Sequence, residues 1–507
     1  MSAPVDGASS ERHQRLLRSF KARFGVDASF VARSPGRVNI IGEHIDYCGF
    51  SVLPMAVDRD VLIAVAAKSV AADSAHAPTV VLTNIDPEKY HDATFEYTKD
   101  SIVDIDATKH AWHNYFKCGY KGILEDIGKV PPHLEIMIDG NVPAGAGLSS
   151  SSAFVCASAL SVAYACGVTP NKRDLTETAI RAERYSGVQT GGMDQSISIM
   201  ATPSSALLID FYPSLNATPV LIPPHTRPYK FVVANSLVTS EKHVTAARNY
   251  NLRVLETRLA ARLLGAWVSA GSADDSVAVP RAKTLREVLD LFLDSQATGL
   301  AAGFNGARVG SRAEFINGLR NLEAVAELVF KDGVYGCDDA VTALQEKYKG
   351  EYAAGWVDVE KEFCAGIGGV YLDGGLDLKK RVRHVLSEAR RVLEFVEVCG
   401  GSGEADVLDS LGSLMNASQK SCSQDFNCSC PELDELTALC LASGAVGSRL
   451  TGAGWGGCTV SLVPEELVED FIAKVVEGYY AKHGHDVKDV GDWIFATIPG
   501  SGALIFE

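Results

Sequence analysis

Asn141-Val-Pro-Ala-Gly145-Ala146-Gly147-Leu148-Ser149-Ser150-Ser151-Ser152-Ala153 constrains the fold of this chain more than any other stretch. Upstream, Leu134 to Ile138 reads as a strand closed by Asp139-Gly140. Downstream, Ala153 to Ala165 is small, apolar and helical in character. A glycine-rich turn between a strand and a helix lets the backbone approach a ligand closely. The N–H groups and positive dipole end of the following helix suit a phosphate. The serines add hydroxyls that can donate to phosphate oxygens or ligate Mg²⁺. No Gly-Lys-Ser/Thr is present, so this is not a P-loop, and Ser150 occupies the third glycine position of the dinucleotide fingerprint. A flexible loop with a serine N-cap would use the same residue types; phosphate binding is the preferred reading.

The rest of the chain must build a scaffold around this turn. At about 150 residues per domain, 507 residues predict roughly three cooperating units. A net charge of −16 excludes bulk binding to nucleic acid or an anionic membrane, while leaving room for a local phosphate pocket. The start of the chain lacks a secretory apolar run, and no apolar stretch is long enough to span a bilayer. The twelve cysteines are therefore expected to be free thiols in a cytoplasmic protein. Cys422, Cys428 and Cys430 cluster, but their spacing fits no zinc pattern.

Helical spacing is predicted over 10–24, 172–186, 243–265, 379–398 and 432–443, and strands over 31–41, 51–68, 206–211, 231–234 and 458–463. The prolines between Asn216 and Pro228 mark the preferred boundary, dividing residues 1–215 from 216–507. Residues 266–312, rich in Gly, Ala and Ser, read as a variable surface insertion, part of an insertion in the second half that runs over about 266–375. Strands and helices in both halves predict an α+β architecture.

Three further segments carry chemistry-bearing residues. Pro35-Gly36-Arg37-Val-Asn39-Ile-Ile-Gly42-Glu43-His44-Ile-Asp46-Tyr47 packs an Arg, two carboxylates and an imidazole together, a set able to bind several sugar hydroxyls; a loop of caps and ion pairs would look similar. Gly191-Gly192-Met193-Asp194-Gln195 places an Asp beside two glycines, either in a turn that a substrate approaches or in one bonding its own backbone. Thr451-Gly452-Ala-Gly454-Trp-Gly456-Gly457 matches G-x-G-x-x-G, yet Cys458 to Val463 after it is a strand, which contradicts a dinucleotide site.

Taken together, these segments resemble the GHMP sugar-kinase superfamily and, within it, the galactokinases. Gly36 to Tyr47 is similar to the galactokinase signature, Pro143 to Ala153 to the superfamily's phosphate loop, and Leu450 to Cys458 to its third motif. Trp112 to Phe116, Gly191 to Ser198 and Asn427 to Glu432 resemble the eukaryotic branch that holds plant galactokinases and N-acetylgalactosamine kinase.

The resemblance implies a two-domain GHMP kinase fold, ribosomal-protein-S5-like then ferredoxin-like, with the active site in the cleft between. It also implies a monomer that transfers the ATP γ-phosphate to the C1 hydroxyl of an α-D-galactose-type sugar. Asp194 falls on the catalytic base and Arg37 on its charge-stabilising partner. Glu43, His44, Asp46 and Gly192 fall on sugar positions. Gly145, Ala146, Gly147, Leu148, Ser149, Ser150 and Ser151 would wrap the ATP phosphates, Ser150 or Ser151 with Glu183 would ligate Mg²⁺, and Trp112 would contact adenine.

Ser152 replaces the usual Ala, Cys48-Gly49-Phe50 the frequent Asn-Gly-Gly, and Lys242-His243 stands where many galactokinases carry a tyrosine near the sugar. An N-acetylgalactosamine kinase is one rival reading. A non-catalytic sugar and ATP sensor for a transcriptional regulator is another, but the intact Ser149 to Ala153, Arg37 and Asp194 argue against it.

Overall fold

The computed structural model describes residues 10–68, 77–97, 103–106, 111–129, 131–187, 191–223, 227–239, 247–270, 281–295, 311–367, 369–401 and 406–507. The strands are β1 (Phe30–Ile41), β2 (Leu53–Lys68), β3 (Thr79–Asn84), β4 (Ala93–Glu96), β5 (His133–Gly140), β6 (Ala206–Asp210), β7 (Asn216–Val220), β8 (Tyr229–Asn235), β9 (Gly447–Thr451), β10 (Cys458–Pro464), β11 (Ile494–Thr497) and β12 (Leu504–Phe506). The helices used below are α1 (Glu11–Phe24), α2 (His113–Ile127), α3 (Ser150–Ala165), α4 (Lys172–Glu183), α5 (Met193–Met200), α6 (Tyr250–Ala270), α7 (Leu285–Ser295), α8 (Arg312–Val329), α9 (Cys337–Lys347), α10 (Trp356–Phe363), α11 (Leu378–Gly400), α12 (Val407–Gln424), α13 (Pro431–Ala442) and α14 (Val468–Val475). No described helix is long and apolar enough to cross a membrane.

One mixed sheet runs in the order β12-β1-β2-β5-β3-β4, antiparallel except for the parallel pair β3 and β5. β1 is buried along nearly its whole length, because both of its faces are covered. Its register against β2 shifts between Pro35 and Arg37 and again between Asn39 and Ile41. Such bulges bend a strand and re-aim its side chains, and Pro35 has no N–H to give the ladder.

Helices α2, α3 and α4 cover one face of this sheet. α3 is small and apolar on all sides and is buried on all sides. Its Ser158 and Ser161 remain satisfied by donating to the carbonyls of Phe154 (2.7 Å) and Ser158 (2.8 Å). Glycine lets α2 press against it: a Cβ at Gly119 would sit 2.6 Å from the Val155 carbonyl oxygen. On the other face, α1 inserts Leu16 and Phe20 against Val31, Leu62 and Met137. Ser10 caps its start by accepting from the His13 N–H (3.2 Å), and Gly25 ends it at φ 73°.

A second, antiparallel sheet has the order β11-β8-β10-β9. α13 and α14 pack Leu436, Cys440, Phe471 and Val475 on one of its faces. The opposite face enters the largest core, where Val233, Leu450 and Val460 meet Val38, Ile40 and Met55 of the first sheet and Leu255, Leu289, Leu319 and Val385 of the helices. The two sheets therefore share apolar contacts rather than standing apart.

One expectation changes, and two strand pairings bear on the predicted division of the chain. The segment read as a surface insertion over 266–312 holds the amphipathic helix α7, whose Leu285, Val288, Leu289, Phe292 and Leu293 are buried in the largest core. The Gly, Ala and Ser of the surrounding sequence hid that stripe; residues 271–280 and 296–310 lie outside the described residues. Just past the predicted boundary at residue 215, Asn216 to Val220 pairs with β6 as a hairpin strand. The last strand, β12, belongs to the first sheet through its pairing with β1.

Replacing Gly119 by Ala is expected to destabilise the protein by about 1–3 kcal/mol in urea unfolding, as overpacking does, despite the better helix propensity of Ala. An unchanged midpoint would show that α2 and α3 can separate without cost.

Candidate active site

β1, re-aimed by its bulges, carries Arg37 into the space between the phosphate loop and the start of α5. Arg37 is only 2% exposed. Its Nε and Nη2 both donate to Oδ1 of Asp194, at 2.8 and 2.7 Å. Its Nη1 donates to the carbonyl of Gly147 at 2.6 Å. One planar guanidinium thus joins the acid of α5 to the backbone of the glycine loop, a geometry suited to Arg rather than Lys. The Arg37 N–H also donates to the Leu148 carbonyl at 3.1 Å.

Gly145, Gly147 and Ser149 are all left-handed, with φ of 69°, 72° and 58°, and Ser150 begins α3. The hydroxyls of Ser149 and Ser152 are buried with no hydrogen-bond partner, whereas Ser150 and Ser151 are half-buried. The third motif lies directly underneath. A Cβ at Gly452 would meet the Gly147 carbonyl oxygen at 2.5 Å, and one at Gly457 would meet that of Ala146 at 2.9 Å. The motif is a tight turn between β9 and β10, and its glycines pack against the backbone of Ala146 and Gly147.

Asp194 lies in the first turn of α5, after Gly192 at φ 110°. The carboxylate of Asp46 sits against Gly191 so closely that a Cβ there would fall 2.0 Å from Oδ2. The base loop and the signature loop therefore touch through a glycine. Glu43 is buried and pairs with Arg449 (Oε2 to Nη2, 2.9 Å). Burial raises its carboxyl above the usual range, opposed by Arg449 and Arg37. His44 has φ 62° and both ring nitrogens engaged: Nε2 donates to the Ala453 carbonyl (2.8 Å), and Nδ1 accepts from the Tyr47 hydroxyl (3.1 Å).

Glu183, at the end of α4, is buried and accepts from Nε2 of Gln195, next to Asp194. Burial pushes the Cys156 thiol of α3 well up, and the charges of Glu183 and Asp194 add to the shift. Trp112 precedes α2, donates its indole N–H to the His91 carbonyl (3.0 Å) and lies parallel to Phe154 in the first turns of α3, with ring centroids 6.2 Å apart. The candidates from four distant segments are thus gathered around the start of α3.

Two site residues were not singled out from sequence. Tyr250, at the start of α6, faces the rings of His44 (5.6 Å) and Tyr47 (5.4 Å). Burial raises its phenol well above the usual range, and the charges of Asp46 and Asp194 add to this. It supplies an aromatic wall; Lys242-His243 lies outside the described residues. Arg449 is fully buried on β9, whose Gly-Ser-Arg-Leu-Thr sequence gives no sign of an interior strand.

Family models match three stretches: the galactokinase galactose-binding signature over 18–67, the GHMP kinases N terminal domain over 114–202 and the GHMP kinases C terminal over 404–481. A galactokinase of Dictyostelium discoideum is 35% identical, over 98% of this chain and 94% of its own length. One from Saccharomyces cerevisiae is 36% identical, over 98% of this chain and 95% of its own. The crystal structure of Lactococcus lactis galactokinase complexed with galactose has the same fold, with a TM-score of 0.64 at 22% identity, covering 97% of this chain and 98% of that one.

Removing one partner of a buried ion pair strands the other. Arg449→Met is expected to cost about 3–5 kcal/mol in urea unfolding, and adding Glu43→Gln to restore part of it. Additive losses in the double variant would show that the pair is not coupled.

Proposed function

This chain belongs to the galactokinase family and is an ATP-dependent sugar kinase; we propose that it transfers the γ-phosphoryl group of ATP to the C1 hydroxyl of galactose, with Asp194 as base and Arg37 as charge stabiliser. Arg37 carries this reading. Its contacts to Asp194 Oδ1 and to the Gly147 carbonyl put the proton acceptor and the phosphate loop on one rigid group. Phosphoryl transfer places little covalent demand on a protein, so position and charge do most of the work.

In this scheme the sugar enters between the signature loop and Asp194. Glu43, Asp46 and the backbone at Gly192 receive its hydroxyls. His44 joins them by exchanging the Tyr47 hydroxyl on Nδ1 for one from the sugar. Tyr250 and Tyr47 wall the pocket as neutral phenols. Asp194 accepts the C1 hydroxyl proton, and Arg37 steadies the charge passing between sugar oxygen and phosphoryl group. Gly145 to Ser151 receive the phosphates on backbone N–H groups at the start of α3. Trp112, resting on Phe154, offers a flat contact for adenine.

The residues present fit a Mg²⁺ ion. Magnesium takes one or two protein oxygens and leaves its other positions to phosphates and water. Glu183 supplies a buried carboxylate beside α3, and the unpartnered Ser149 and Ser152 hydroxyls supply oxygens alongside the half-buried Ser150 and Ser151. Bound there, the ion would neutralise phosphate charge. The proposed setting is a cytoplasmic monomer working on small molecules, in keeping with twelve free cysteines.

Asp194→Ala is expected to lower kcat by roughly 10²–10⁴ while galactose binding survives, the range for loss of a general base. Near-wild-type turnover would remove Asp194 from the role. A sugar panel including N-acetylgalactosamine should give galactose the highest kcat/KM; a preference for the acetamido sugar would reassign the substrate. EDTA should stop turnover and excess Mg²⁺ restore it, whereas unimpaired turnover in EDTA would exclude the metal.

A further inference from the structure

Glu388 and His384 are buried polar groups that the reaction scheme leaves without a task, yet both bond to the signature loop. They lie one turn apart on α11 and so share a face of that helix. Oε1 of Glu388 accepts from the N–H of Gly42 (2.8 Å) and of Glu43 (3.3 Å). Nε2 of His384 donates to the carbonyl of Glu43 (3.0 Å), while its Nδ1 faces the Ser421 hydroxyl (3.0 Å). The peptide groups on both sides of Glu43 are therefore gripped by one helix.

The ionic state of each group matches this use. Burial alone would raise the Glu388 carboxyl, but Arg391, Arg449 and His384 outweigh it and hold the group down at about 2. Burial pushes His384 down to about 4, which leaves the neutral ring with the single N–H that the Glu43 carbonyl needs. Ser418 completes a circuit: its hydroxyl donates to Glu388 Oε1 (2.7 Å) and accepts from Arg449 Nε (3.0 Å), and Arg449 pairs with the Glu43 carboxylate. Glu43 is thus held by its backbone and by its side chain.

The segment so held is one that would not keep its shape unaided. Gly42 has φ 111° and His44 φ 62°, so the chain is left-handed on either side of Glu43. Gly42 takes its angle readily, but the one at His44 persists only where its surroundings over-determine it. Apolar packing could fill the same space at lower cost than a buried carboxylate. What the carboxylate adds is direction, since two successive N–H groups must point at one oxygen.

We propose that Glu388 and His384 are positioning residues for sugar phosphorylation: by fixing the peptide groups that flank Glu43, they set where Glu43, His44 and Asp46 meet the sugar. This rests on the signature loop being the sugar site, as read above. The bonds described for both residues go to the signature loop and to helices α11 and α12, none to the phosphate loop. Their loss should therefore affect the sugar side of the reaction alone.

The test compares Glu388→Gln, Ser418→Ala, His384→Leu and His384→Gln with the wild-type chain, measuring kcat, the KM for galactose, the KM for ATP and thermal unfolding. Glu388→Gln and His384→Leu are expected to raise the galactose KM about ten- to hundredfold, as loss of a hydrogen bond to a charged or buried group does. The ATP KM should stay within about twofold, a split that general loosening of the fold would not produce. His384→Gln keeps an N–H donor and should recover most of the loss. Ser418→Ala gives a milder rise of several-fold and serves if Glu388→Gln does not fold. Folded variants with unmoved galactose KM, or with equal rises in both constants, overturn the positioning role. Wild-type protein that turns over no sugar would instead overturn the kinase reading beneath it.

Discussion

The guanidinium of Arg37 is the piece on which the rest of the site depends. A buried charge is expensive unless every donor finds an acceptor, and here the acceptors come from elements far apart in the chain. Nε and Nη2 take Oδ1 of Asp194, and Nη1 takes the Gly147 carbonyl. Had β1 kept a regular register past Pro35, its side chains would point differently. The two register shifts are therefore part of the site, although neither touches a reacting atom.

A second layer of buried charge surrounds the first. Arg449 and Glu43 pair beside the signature loop, with Arg391 and Glu388 behind them. These groups sit within the largest apolar core, which joins the first sheet, the second sheet and the helices between them. Helices α6, α7, α8 and α11 make that core continuous, so they support the signature loop from below. Their contribution explains why a region of bland composition has been built into the interior.

The glycine motifs were legible because their requirement is local. Gly145, Gly147, Gly452, Gly454 and Gly457 adopt backbone angles that glycine favours, and sequence shows glycine directly. Asp194 and Arg37 were legible only as members of such motifs. Tyr250, Arg449, Glu388 and His384 were not, since an Arg in a strand or a Glu in a helix looks ordinary until the fold places it. The buried stripe of α7 was masked by the glycines and alanines around it. Trp112 was found, but the helix that follows it was not, because Gly119 and Gly122 interrupt its pattern for a packing reason that only α3 and α4 reveal.

The closing strand has a consequence for how the site comes into being. β1 pairs with β2 on one edge and on the other with β12, at Leu504, Ile505 and Phe506. During synthesis the strand bearing Arg37 is made long before β12, since Arg33 pairs with Leu504, so its second edge stays open meanwhile. Contacts of such long sequence separation form slowly, since the loop between must be closed first. An unpaired strand edge is also a template for wrong partners. The nascent protein must therefore carry β1 half-paired until β12 has been made.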